Sequence, residues 1–167
     1  NNLKQAAKTM NFLTEHGIGS YGELESKLTA VSARRDAAHA ELKRVESRST
    51  ELALVMKHAA TYRQLKPLYD RYRKSGDKEK FLRGHESEII LFEAAARELK
   101  RLGAVPLPAT ESTKTELANL AAEKERLFAE YKAARSEVQE YETVKQNVDA
   151  LIAVPKEQEQ QRRHELE

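Results

Sequence analysis

Two apolar ladders with coiled-coil spacing constrain this chain more than any other feature. The first runs Leu24, Leu28, Val31, Arg35, Ala38, Leu42, Val45, Ser49, Leu52, Met56, Ala59. The second runs Leu117, Leu120, Lys124, Leu127, Tyr131, Ala134, Val138, Tyr141, Lys145, Val148, Ile152. Steps alternate between three and four residues, which holds each ladder on one seam of a helix that is polar elsewhere. Neither helix can bury its own seam, so each is expected to bury the other's. The ladders pair antiparallel when Leu24 is set against Ile152 and Ala59 against Leu117, with Leu28 toward Val148 and Leu42 toward Ala134. Each arm then spans about 35 residues, or roughly 50 Å. Arg35, Ser49, Lys124 and Lys145 interrupt the seams, and such residues lower stability while fixing register and partner. The fold class read from this pattern is all-α: a long antiparallel coiled-coil hairpin with a small helical head. With 34% charged and only 6% aromatic residues among 167, the composition suits a thin-cored helical protein.

Helix breakers divide the chain into five segments. Residues 1–19 read as a short base helix over 2–15, with Leu3, Ala6, Ala7, Met10 and Leu13 on one side, stopped by Gly17 and Gly19. Residues 20–59 form the first arm, opened by a capping box of Ser20 and Glu23. Residues 60–111 form the helical head. Pro67 is expected to kink or end the helix there, because it lacks an N–H and its ring crowds the preceding turn. Ser75-Gly76-Asp77 reads as a turn, and 78–102 as a helix whose wide apolar face touches more than one neighbour. Gly103 ends that helix, and Pro106 and Pro108 stiffen the connector. Residues 112–153 form the second arm, with Thr113 and Glu116 as a second capping box and Val154-Pro155 as its interruption. The polar tail, 154–167, is expected to be disordered. The chain does not begin with Met and reads as a piece of a longer protein, and Leu166-Glu167 reads as a cloning scar.

The usual chemistry-bearing patterns are absent from the sequence. His16, His39, His58, His85 and His164 never take the close spacing of a metal site. There is no Gly-rich phosphate loop, nucleophile elbow or HExxH. Glu41, Glu46, Glu123, Glu125, Glu137 and Glu140 alternate with Lys and Arg, as on a solvated helix face. No catalytic residue, metal or cofactor is expected, and the chain is read as non-enzymatic. Cysteine is absent, which fits a reducing compartment, and the expected location is cytoplasmic. The longest apolar runs, Leu52 to Met56 and Ile89 to Phe92, fall far short of the roughly 20 residues of a membrane span. No membrane partner is expected.

One segment departs from the overall charge of +2. Between Thr61 and Arg83 lie Arg63, Lys66, Arg71, Arg73, Lys74, Lys78, Lys80 and Arg83, against Asp70, Asp77 and Glu79. Tyr62, Tyr69 and Tyr72 are interleaved with these cations. Such cations neutralise phosphates, and Tyr72 is the first candidate to stack on an unpaired base. The competing reading packs all three tyrosines against the 78–102 helix and leaves the cations to solvate the outside.

Three stretches carry a family likeness: NNLKQAAKTMNFLTEHGI with YGELE (1–18 and 21–25), HESEIILFEAAARELKRLG (85–103) and EYKAARSEVQEYETVKQNVDAL (130–151). Together they resemble the C-terminal helical region of relaxases, the mobilisation nucleases of Gram-positive conjugative transposons and mobilisable plasmids. The resemblance covers residues 1 to about 152 and rests on helical phrases rather than a catalytic signature. It implies a nuclease domain upstream of Asn1, which nicks DNA with a tyrosine and a histidine-held metal. None of that machinery maps onto this chain, so no catalytic residue is carried over. The implied role is an accessory one in conjugation. The partner would be single-stranded or duplex DNA, bound without sequence preference by the basic head. The alternative is an interaction or oligomerisation module that docks conjugation and secretion proteins. Whether the coiled coil closes within one chain or between two, as a homodimer, stays open at this level.

Overall fold

In a computed structural model of the chain, residues 1–153 and 157–166 are described, and 154–156 only as part of a helix. Four helices follow in order: α1 (Asn2–Glu15), α2 (Tyr21–Lys74), α3 (Lys78–Arg101) and α4 (Thr110–Glu165). The described residues contain no strand, so the all-α class holds. The contacts divide into two units, Asn1–Glu41 with Arg126–Glu167, and Leu42–Glu125.

The helix ends follow from local chemistry. Ser20 Oγ accepts the Glu23 amide at 3.2 Å, while the Glu23 carboxylate accepts the Gly19 amide at 2.7 Å. The expected capping box therefore forms, with its return bond one residue earlier than usual. Asp77 caps α3 through the Lys80 amide at 3.1 Å. Thr113 caps nothing. The α4 helix starts three residues sooner, and the buried Thr113 hydroxyl donates to the Ala109 carbonyl at 3.2 Å. Two helices end in the same way. Gly17 (φ 63°) and Gly103 (φ 69°) take the left-handed conformation. Their amides bond Thr14 and Lys100, and the following Ile18 and Ala104 bond Leu13 and Leu99. This is the paired bonding of a Schellman motif, which satisfies the orphan carbonyls of a helix end. An added Cβ at Gly103 meets no atom within 4 Å, so only the backbone opposes it. Gly103→Ala should therefore cost about 1–2 kcal/mol in urea denaturation. A loss below a few tenths would mean that the positive φ is not required.

In the first unit, the opening of α2 packs on the later part of α4, with α1 laid over both. Leu24, Val31, Val138, Tyr141, Val144 and Phe12 form its core, with Leu13, Ile18, Leu28 and Val148 packed against it. The pairs Tyr21–Asp149, His39–Tyr131 and Arg34–Glu137 run antiparallel, with residue numbers that sum to 170 or 171. The expected register sums to 176. It is therefore wrong by about six residues, more than one and a half helical turns. The face of α1 also differs from expectation. Leu3 and Met10 are exposed, while Thr9 and Phe12 are buried. Thr9 can be buried because its hydroxyl accepts from the Asn147 amide at 3.2 Å. Phe12 stacks on His16 at 3.9 Å and meets the Tyr141 edge at 5.1 Å. The helix α4 continues past Val154-Pro155 without the expected interruption. The polar tail, expected to be disordered, is helical to Glu165 instead. It is built of good helix formers and carries an Arg163–Glu159 pair one turn apart.

In the second unit, α2 meets both α3 and the start of α4. Val55, Ala59 and Leu99 form a small core, with Tyr62, Leu102, Ala104 and Leu107 packed on it. Ala59 therefore faces α3 and the connector rather than Leu117. The helix α2 passes through Pro67 without the expected break. Pro67 and Arg63 both lie on an exposed face, where water can solvate the Arg63 carbonyl that proline leaves without a donor. The irregular backbone falls instead in α3, at His85 (φ −139°, ψ 27°), next to Gly84. Exposed ion pairs Arg48–Glu116, Arg44–Glu123 and Lys124–Glu46 tie α2 to α4, each worth about 0–1 kcal/mol.

Candidate nucleic-acid interface

The basic segment occupies the last turns of α2 and the first turns of α3. Asp77 holds the turn between them by capping α3, and the Ser75 hydroxyl donates to the Asp77 carbonyl at 3.1 Å. Cations at the end of α2 sit beside its unpaired carbonyls, which the helix dipole favours.

The eight cations of the sequence reading do not act alike. Arg63 is engaged in structure, donating to the Pro108 carbonyl at 2.6 Å and the Thr110 hydroxyl at 2.9 Å. It clamps the connector between α3 and α4. Lys66 pairs with Asp70 at 3.0 Å, and this bond raises the ammonium pKa above its ordinary value. Arg71, Arg73, Lys74, Lys78, Lys80 and Arg83 are all exposed and form no ion pair among the described residues. Two exposed carboxylates, Asp77 and Glu79, lie among these six cations.

The three tyrosines turn inward. Tyr62 and Tyr69 stack on Phe92 of α3, at 4.7 Å and 4.3 Å between ring centroids. Phe92 itself is buried. Tyr72 is half-buried, its ring 5.8 Å from Tyr69 and 5.9 Å from Phe81. Phe81 in turn lies 4.8 Å from His85. The aromatic residues of the segment thus bind α2 to α3, while six cations remain outside. Sequence reasoning also left out Arg97, which shares an open groove with Lys66, Arg73 and Phe92 and with the carboxylates Asp70 and Glu93.

The six exposed cations are spread over the end of α2 and the start of α3. Residues along a helix advance by roughly 100°, so Arg71 and Lys74 share one flank of α2 and Arg73 lies about 160° round from Arg71. On α3, Lys80 and Arg83 share the side turned away from Phe81 and Leu82.

Among the described residues, no group of three or more His, Cys, Asp or Glu side chains could hold a metal ion. No helix of the described residues is long and apolar enough to cross a membrane. The chain matches no protein-family profile, no curated protein and no solved structure.

Proposed function

We propose that this chain is a non-catalytic helical module that binds the phosphate backbone of DNA through the tip formed by α2 and α3. Its setting, on the resemblance of its helical phrases, is a relaxase acting in conjugative transfer or plasmid mobilisation in the cytoplasm. The observation that carries the DNA-binding reading is the division of labour in residues 61–83. The aromatic side chains pack inward, and Arg71, Arg73, Lys74, Lys78, Lys80 and Arg83 stay exposed. Exposed cations concentrated at one place attract a polyanion even when the whole chain carries only +2.

The test is fluorescence anisotropy with labelled DNA at 50 and 200 mM salt. Binding should be non-specific, with Kd near 10⁻⁴ to 10⁻⁶ M. If about four phosphates are neutralised, affinity should fall roughly 100-fold between the two salts. The variant Arg71→Gln/Arg73→Gln/Lys74→Gln should weaken binding about tenfold at 50 mM and flatten the log–log salt slope by about two. Absence of binding, or equal binding by the variant, would remove this reading. The relaxase setting has its own test, since a longer reading frame should encode a histidine-cluster nuclease upstream.

The second reading is a docking module for other transfer proteins or a second copy of the chain. Ile90 and Leu91 of α3, 54% and 55% exposed, favour it, because adjacent aliphatic side chains left open to water mark contact surfaces. It takes first place if the anisotropy titration fails.

A further inference from the structure

We infer that the tip of α2 and α3 recognises duplex DNA across a groove, in preference to a single strand. This inference rests on the proposed DNA-binding function and names its substrate class. Two independent observations lead to it.

The first is the fate of the aromatic rings. Proteins that prefer single strands offer aromatic faces to unpaired bases, and each such face strengthens binding by about five- to a hundredfold. Here Tyr62 and Tyr69 spend a face each on Phe92. Tyr72 leans between Tyr69 and Phe81. The tip therefore keeps its charge in water while its rings commit a face each to packing. What it can recognise is phosphate, and a duplex presents phosphate at twice the linear density of a single strand.

The second is the placement of the cations. Around the α2 end, Arg71 and Arg73 lie about 160° apart, with Lys74 on the arc between them, about 60° from Arg71. A helix with its side chains is about 10–12 Å across, close to the roughly 12 Å width of the major groove of B-DNA. Cations on both flanks can then meet the two backbones that border a groove. A single strand follows one path and can satisfy one flank at a time. Asp77 and Glu79, between the cations, disfavour any path that runs directly over the turn.

The experiment compares a 20-base-pair duplex with a 20-nucleotide strand of the same sequence, by anisotropy at 50 and 200 mM salt. The duplex should bind about fivefold or more tightly at 50 mM and show the steeper salt dependence. Arg73→Gln alone, and Arg71→Gln/Lys74→Gln together, should each flatten the duplex slope, because each removes one flank. Tyr72→Leu should leave both affinities within about twofold, since no base stacks there. Circular dichroism melts show whether that variant is folded, and Tyr72→Phe with the hydroxyl alone removed serves as the milder control. Equal or tighter binding of the single strand would overturn the duplex inference and leave the DNA-binding reading intact. So would a fivefold or larger loss of single-strand affinity in a folded Tyr72→Leu. Binding of neither probe at 50 mM would overturn the underlying reading and this inference with it.

Discussion

Phe92→Ala should be the most damaging single substitution in the second unit, costing about 3–5 kcal/mol of stability. Phe92 is 5% exposed and lies against two tyrosine rings, Tyr62 and Tyr69, which stand seven residues apart on α2. Removing it discards the transfer free energy of a full aromatic ring. It also leaves a cavity between two large side chains fixed to one long helix, where relaxation is limited. Urea denaturation with circular dichroism would measure the loss. Tyr62→Phe and Tyr69→Phe serve as controls: each keeps the ring and should cost far less, about 1 kcal/mol or under. A further consequence ties packing to function. Phe92 carries no charge, yet its loss should loosen α3 from α2 and weaken DNA binding at the tip. If Phe92→Ala costs under about 1 kcal/mol, the stacked rings do not hold the two helices together.

The same tyrosines show how much of the tip was legible. The local charge excess could be read directly, and the structure leaves all eight cations exposed, with only Arg63 and Lys66 engaged by partners among the described residues. The direction of the rings was readable as well, though from spacing rather than composition. Tyr62, Tyr69 and Tyr72 continue the three-and-four stepping of Ala59, so they prolong the buried seam of α2 into the head. Arg63 lies one position past Tyr62, off that seam, yet its guanidinium reaches the Pro108 carbonyl. Nothing local in the sequence joins residues that far apart in the chain.

The seams themselves were read well and their register badly. Leu24, Val31, Ala38, Leu42, Val45, Leu52 and Ala59 of the first ladder are all buried. A ladder fixes which side of a helix is apolar; it leaves open how far the partner slides along it. The sliding position shows in contacts off the ladder. Thr9 meets Asn147, Tyr21 donates to Asp149 at 2.6 Å, and Arg34 pairs with Glu137. Val55 and Val144 are buried without belonging to either ladder. Each marks the place where a third helix covers the side of the pair: α3 at Val55 and α1 at Val144. The seam cations also behave individually. Lys145 reaches Asp149 at 3.7 Å and lies 5.8 Å over the Tyr21 ring, keeping its charge at the edge of the seam while its stem covers apolar surface.

Leu24 and Ile152 separate the two registers experimentally. In the sequence-based pairing they face each other and should matter about equally. In the structure Leu24 is 1% exposed, whereas Ile152 is 45% exposed. Leu24 packs in one cluster with Val31, Tyr141 and Val144, under α1 and Phe12. Leu24→Ala should therefore cost about 2–5 kcal/mol, the range for a buried leucine whose cavity closes only in part. Ile152→Ala should stay within about 0.5–1 kcal/mol, because the side chain is half in water and alanine is the better helix former. Thermal and urea melts of the two variants beside the wild type give the comparison. Similar losses at both positions would favour the pairing that sets them opposite each other. A large loss at Leu24 alone places α4 about six residues along from where ladder matching put it, the offset at which Tyr21 meets Asp149 and Arg34 meets Glu137.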